Sequence, residues 1–92
     1  MNEMDILKLF YDEMVGQGKT RDTVFLSIDE SAVAILSQKL KQPVSLEQIH
    51  KLTDICIANE WIERTTIDPH YNYLSLTEAG LQVILANIYS AR

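Results

Sequence analysis

The sequence predicts an α+β, mainly α, domain of about four helices with a small antiparallel β-sheet. Three observations predict it. Apolar residues recur at three- and four-residue steps in four separate stretches. Between the third and fourth stretches the apolar period changes to two, around a proline turn. Each helical stretch opens on a capping residue or closes on a breaker.

Residues 2–16 read as the first helix. Met4, Leu7, Tyr11 and Met14 form one stripe, which Ile6, Phe10 and Val15 widen, while Lys8, Asp12 and Glu13 supply polar positions. A stripe this wide implies burial on more than one side, within the core or in part at a dimer interface. Gly16-Gln17-Gly18 ends the helix, since glycine suits a left-handed cap. After a polar loop, residues 23–28 read as a short strand built on Val24, Phe25, Leu26 and Ile28. Asp29 then caps a second helix over residues 30–41, with Val33, Leu36 and Leu40 on one face and Ala32 and Ile35 beside them. Gln42-Pro43 breaks it, because the residue before a proline disfavours the helical region.

Ser45 caps the third helix, and Gln48 stands at capping-box spacing. Leu46, Ile49, Leu52, Ile55 and Cys56 give this helix an apolar face. Glu47, Gln48, His50, Lys51 and Asp54 occupy the opposite one. Past Glu60 the chain alternates, with Ile62, Arg64 and Thr66 on one side of a strand and Trp61, Glu63, Thr65 and Ile67 on the other. Asp68-Pro69-His70 is a turn signal, and residues 71–76 read as the returning strand. Thr77 caps the last helix, with Glu78 placed to suit the helix dipole. Leu81, Ile84, Leu85 and Ile88 share a face there, and Val83, Ala86 and Tyr89 extend it.

A helix, then EWIER, a turn and YLSLTEAG: this order resembles the second half of a winged helix-turn-helix domain, as in many small bacterial transcription regulators. The first half of the chain reads with it. The resemblance implies that residues 23–28 add a third strand to the hairpin, or wing, and that Gly80 lets the last helix pack closely against it. It also implies that the third helix enters the major groove with its N-terminal residues at base edges. The DNA-contact candidates are then Lys41, Ser45, Glu47, Gln48, His50, Lys51 and Arg64. Gln48 suits adenine, Lys51 guanine or phosphate, and Glu47 cytosine; Arg64 suits a backbone phosphate or a carboxylate. The bland alternative is that these residues are only a solvated helix face. Met4, Leu7, Tyr11, Leu81, Leu85 and Ile88 are the candidates for a homodimer interface between terminal helices. Two features depart from the pattern. The helix-turn-helix connection has no glycine, and residues 68–72 at the wing tip lack the Arg or Lys that grips a minor groove.

Ninety-two residues read as a single domain, 1–92, with one small core. A 47% hydrophobic content argues against disorder. No apolar run reaches the ~18–20 residues that span a bilayer, so no membrane partner is expected. The acidic N-terminal stretch is unlike a signal peptide, and a lone Cys56 fits a reducing compartment, so the expected location is cytoplasmic. The formal charge of −5 opposes an easy reading as a double-stranded DNA binder. Lys39, Lys41, Lys51 and Arg64, four of the eight basic residues, fall in or near the candidate binding half. Glu47, Asp54, Glu63 and Asp68 offset them. The alternative is therefore a winged-helix protein-protein interaction module or adaptor with no direct DNA binding.

Enzyme signatures are lacking. His50 and Cys56, six apart on one helix, do not make a metal site, and no glycine-rich phosphate loop or nucleophile elbow is present, so neither metal nor cofactor is expected. Trp61 reads as a residue packed under the hairpin, Tyr71 and Tyr73 as sheet packing, and His70 as an exposed turn residue.

Overall fold

A computed structural model of the chain describes residues 1–67 and 69–90. Among them the order is α1 (Glu3–Gln17), α2 (Glu30–Leu40), α3 (Leu46–Ala58), β1 (Ile62–Arg64), β2 (Leu74–Leu76) and α4 (Glu78–Ser90). The two strands pair antiparallel, with Ile62 opposite Leu76 and Arg64 opposite Leu74. The class is α+β and mainly helical, as the periodicity predicts. The arrangement is compatible with a winged helix. No described helix is long and apolar enough to cross a membrane.

Local side-chain chemistry fixes the helix starts. Asn2 accepts from the Met4 N–H and Asp5 reaches back to the Asn2 N–H, a capping box that the sequence reading passed over. Asp29 accepts from the Ser31 N–H and hydroxyl, and these hydrogen bonds hold its carboxyl below the usual range. Ser45 and Gln48 close the expected box at 3.0 and 3.1 Å. Each such cap contributes about 1 kcal/mol. The ends of α1 and α2 are left-handed, at Gly18 (φ 63°) and Lys41 (φ 54°).

Two expected strands are shorter than the alternation suggests. Residues 23–28 do not form a strand. Arg21–Thr23 is a 3-10 turn, and Leu26 alone bridges to Leu74. Local bonding explains this. Thr23 donates N–H and hydroxyl to the Thr20 carbonyl, and the Ile28 N–H goes to the Tyr71 carbonyl rather than into a ladder. The hairpin ladder likewise stops at Arg64 and Leu74. The Thr65 hydroxyl donates to the Tyr73 carbonyl, and Tyr73 itself is left-handed (φ 53°), which ends regular pairing. Tyr71 and Tyr73 therefore lie outside the sheet. The Asp68 part of the expected turn falls outside the described residues.

The core forms around α1. Ile6, Leu7 and Phe10 meet Leu36, Ile49, Cys56, Ile62, Leu74, Leu76 and Ile84. Leu7 is completely buried, so it cannot belong to an exposed dimer face; its neighbours Met4 and Tyr11 are half-buried. On α3 the expected Ile49 and Cys56 are buried and Leu52 packs against the core, but Thr53 joins them inside while Ile55 is 44% exposed. Thr53 tolerates burial because its hydroxyl donates to the Ile49 carbonyl at 2.8 Å. Every residue of β2 is buried, Ser75 included, whose hydroxyl donates to the Arg21 carbonyl.

Gly80 has the close approach that its resemblance implies. A Cβ there would fall inside the contact distance of the Trp61 carbonyl and lie 2.9 Å from Leu76 Cδ1. The obstacle is backbone, which cannot rotate away. Gly80→Ala should therefore destabilise the fold by about 1–3 kcal/mol despite alanine's better helix propensity. Urea unfolding checks this; equal or greater stability in the variant would show that the helix is not seated this tightly. Cys56 gives a second check. Burial, with the nearby Glu3 carboxylate, pushes its thiol up to about 12. It should stay protonated and resist iodoacetamide at neutral pH until the chain unfolds. Alkylation at the rate of a free thiol in native protein would contradict the burial.

Candidate nucleic-acid interface

The start of α3 seats Ile49 in the core and turns its polar side chains to solvent. Ser45, Glu47, Gln48 and Lys51 are all exposed there. Two of the four are engaged with each other, since the Gln48 side-chain oxygen accepts the Ser45 N–H and the Ser45 hydroxyl accepts the Gln48 N–H. The Gln48 amide group keeps its two N–H donors for a ligand. Lys51 lies 3.8 Å from Glu47, one turn back, and both side chains are largely in solvent. A pair of this kind contributes roughly 0.2–0.5 kcal/mol and gives way readily to a stronger anion.

His50 departs from the outward face. Its Nε2 lies 2.9 Å from the Ile28 carbonyl. A carbonyl only accepts, so Nε2 carries the proton and donates. The ring stacks on Tyr71 with centroids 3.8 Å apart and planes 12° apart. The Tyr71 hydroxyl donates to Asp54 at 2.8 Å. Arg64 lies 5.4 Å from the centre of the same ring and donates to the His70 carbonyl at 2.6 Å. His50 and Asp54, one turn apart on α3, thus hold the Tyr71 ring and fasten the hairpin beside the helix. The sequence signal for this latch is faint. The i,i+4 spacing of His50 and Asp54 is visible, but nothing local pairs them with a tyrosine across the turn.

The remaining cations are dispersed. Lys39 bonds Asp12 on α1 at 2.8 Å and so faces the α1–α2 side. Lys41 is exposed at the end of α2 and has no ion-pair partner among the described residues. Of the sequence candidates, the structure groups Ser45, Glu47, Gln48 and Lys51 at the start of α3. Arg64 and His50 belong to the Tyr71 latch. Of the dimer candidates other than Leu7, Met4, Tyr11, Leu81, Leu85 and Ile88 are half-buried, and α1 packs along α4.

The bond to Asp54 raises the Tyr71 phenol above its ordinary value, with burial and the Asp54 charge acting the same way. A raised value means that the fold favours the neutral phenol. The latch is then complete below the usual phenol range, and it is lost as alkaline pH ionises Tyr71. In a 295 nm titration, one of the four tyrosines should ionise later than the rest, and Asp54→Asn should bring it back. Superimposable curves for the two proteins would remove the Tyr71–Asp54 bond.

The chain matches no protein-family model, no curated protein and no solved structure, so its surface is read from its own residues.

Proposed function

We propose that the chain is a cytoplasmic winged-helix DNA-binding regulator that acts as a homodimer. The observation that carries this reading is the placement of α3. It follows α2 after a short connection, its first turn is capped and exposed, and the hairpin is latched alongside it as a wing. In this reading Ser45, Glu47 and Gln48 meet base edges in the major groove, and Lys51 meets a guanine or a phosphate there. Lys41 and Arg64 take phosphates, and His50 acts indirectly, by holding the wing through Tyr71. Half-buried apolar residues on the terminal helices, Met4, Tyr11, Leu81, Leu85 and Ile88, supply the dimer contact. A two-fold dimer would read half-sites ~34 Å apart.

A second reading, a protein-interaction module without DNA binding, is favoured by one observation. Carboxylates sit against Lys39 and Lys51, so no continuous basic stripe crosses the α3 face. Magnitude favours the first. The exposed Glu47–Lys51 pair is worth roughly 0.2–0.5 kcal/mol, too little to keep Lys51 from a phosphate. DNA binding with so few cations should be modest in strength.

The test is fluorescence anisotropy of a labelled mixed-sequence duplex at roughly 50 and 200 mM salt. Three cations per protomer, Lys41, Lys51 and Arg64, predict a log–log salt slope of about −5 for a dimer. Lys51→Ala should weaken binding and flatten that slope by about one unit per protomer. An unchanged slope takes Lys51 off the contact surface. No binding at the lower salt, or a chain that stays monomeric at high concentration, turns the assignment to the interaction module.

A further inference from the structure

The segment that fails to become a strand leaves an open edge. Leu26 exchanges both backbone hydrogen bonds with Leu74, at 2.8 and 2.9 Å. In an antiparallel pair of this type, the flanking residues turn their N–H and C=O groups to the opposite edge. Those residues are Phe25 and Ser27. The N–H and C=O groups of both make no hydrogen bond to another described backbone group, and the Ser27 hydroxyl accepts the Tyr73 N–H on the hairpin side.

A groove borders this edge. Leu9 of α1 and Ala32 and Ile35 of α2 line it together with Phe25 and Ser27. Phe25 is 49% and Ile35 44% exposed, a large apolar area for a chain this small. The charged residues lining the groove are Glu13 and Asp29; no Lys or Arg lines it. Backbone donors and acceptors, an apolar trough and a purely acidic rim occur together.

We propose that Phe25–Ser27 is an acceptor edge for an extended, cationic segment of a partner protein. The segment adds as a strand beside Leu26, seats an apolar side chain between Ile35 and Leu9, and sets Lys or Arg against Glu13 and Asp29. This is strand addition, in which backbone bonds give affinity and alternate side chains give selectivity. A second copy of the chain is the poorer occupant. Pairing two such edges brings acidic rim onto acidic rim, and like charges oppose each other. The proposal rests on residues that the DNA reading does not use, although Leu26 pairs with β2 of the hairpin.

The probe is a short synthetic peptide of alternating lysine and valine, titrated to about 1 mM into the isotope-labelled full chain and followed by amide chemical shifts. The expected result is movement of the Phe25, Ser27 and Ile35 amides, with slower hydrogen exchange at Phe25 and Ser27. A glutamate–valine peptide should bind at least about tenfold more weakly, as should a lysine–valine peptide whose central valine is proline, which lacks the N–H. Ile35→Lys alters an exposed residue, so the fold should persist while affinity falls by a similar factor. Glu13→Lys, also exposed, should lower it through charge alone. The proposal is overturned by silence at residues 25–27, by equal binding of the acidic peptide, or by shifts centred on Glu47 and Asp54. Undiminished affinity in Ile35→Lys overturns it as well. Shifts at residues 25–27 that depend on protein concentration without peptide would assign the edge to a second copy instead.

Discussion

The backbone at Glu60–Trp61 is the joint on which the second half of the molecule depends. The end of α3 delivers it: Glu60 N–H bonds the Ile57 carbonyl, and Trp61 N–H bonds the Cys56 carbonyl at 2.9 Å. Glu60 takes the left-handed conformation (φ 62°), so the chain reverses sharply with no glycine. The two carbonyls of the joint then receive α4. Thr77 donates its N–H to Trp61 and its hydroxyl to Glu60, and that same hydroxyl accepts the Gly80 N–H. Because Ile62 follows Trp61 and Leu76 precedes Thr77, this grip also sets the register of β1 on β2. Any side chain at position 80 would push α4 off the joint.

With the base of the hairpin fixed there, the tip needs a separate hold, since a two-stranded ribbon of three-residue strands is marginal alone. The Tyr71 latch supplies it. His50, Asp54 and Arg64 all converge on one ring, and the Ile28 carbonyl orients His50 from the other side. The polar face of α3 is thus divided. Its first turn is left to solvent, while His50 and Asp54 bind the hairpin. Residues that look like a uniform solvated face in sequence serve two ends.

What was legible in the sequence was what is local. The Ser45 box, the Asp29 cap, the breaker at Gln42-Pro43 and the helical periods all act within a few residues, and the structure has them. The Gly80 requirement was legible through the resemblance, because only a close approach makes glycine useful inside a helix turn. Nonlocal choices were not legible. Thr53 turns inward and Ile55 outward because α1 packs on the Ile49–Thr53–Cys56 side of α3, which no period reveals. Residues 23–28 have strand composition, yet the 3-10 turn and the Ile28–Tyr71 bond consume their backbone groups, leaving one bridge. His50 sits where a groove-facing residue belongs, and a tyrosine far along the chain claims it. Leu7 shares a stripe with Met4 and Tyr11, but a stripe does not say which member the core takes.

The same truncation that spoiled the third strand shapes the surface. Had residues 23–28 paired fully, the next edge would still be open, but it would be a longer, more regular one. Instead the exposed edge is three residues long, flanked by a helix cap at Asp29 and bordered by a groove that α1 and α2 also line. Short edges resist indiscriminate pairing. An apolar trough with acidic margins adds a second filter, because a cationic strand is attracted to Glu13 and Asp29 while an acidic one is repelled. The net charge of −5 then has a distribution rather than only a sign. Lys41 ends α2 and Lys51 lies in the second turn of α3, while carboxylates rim the groove between α1 and α2. The two charge groups thus line different surfaces, Lys51 beside the α2–α3 connection and the two carboxylates in the groove between α1 and α2.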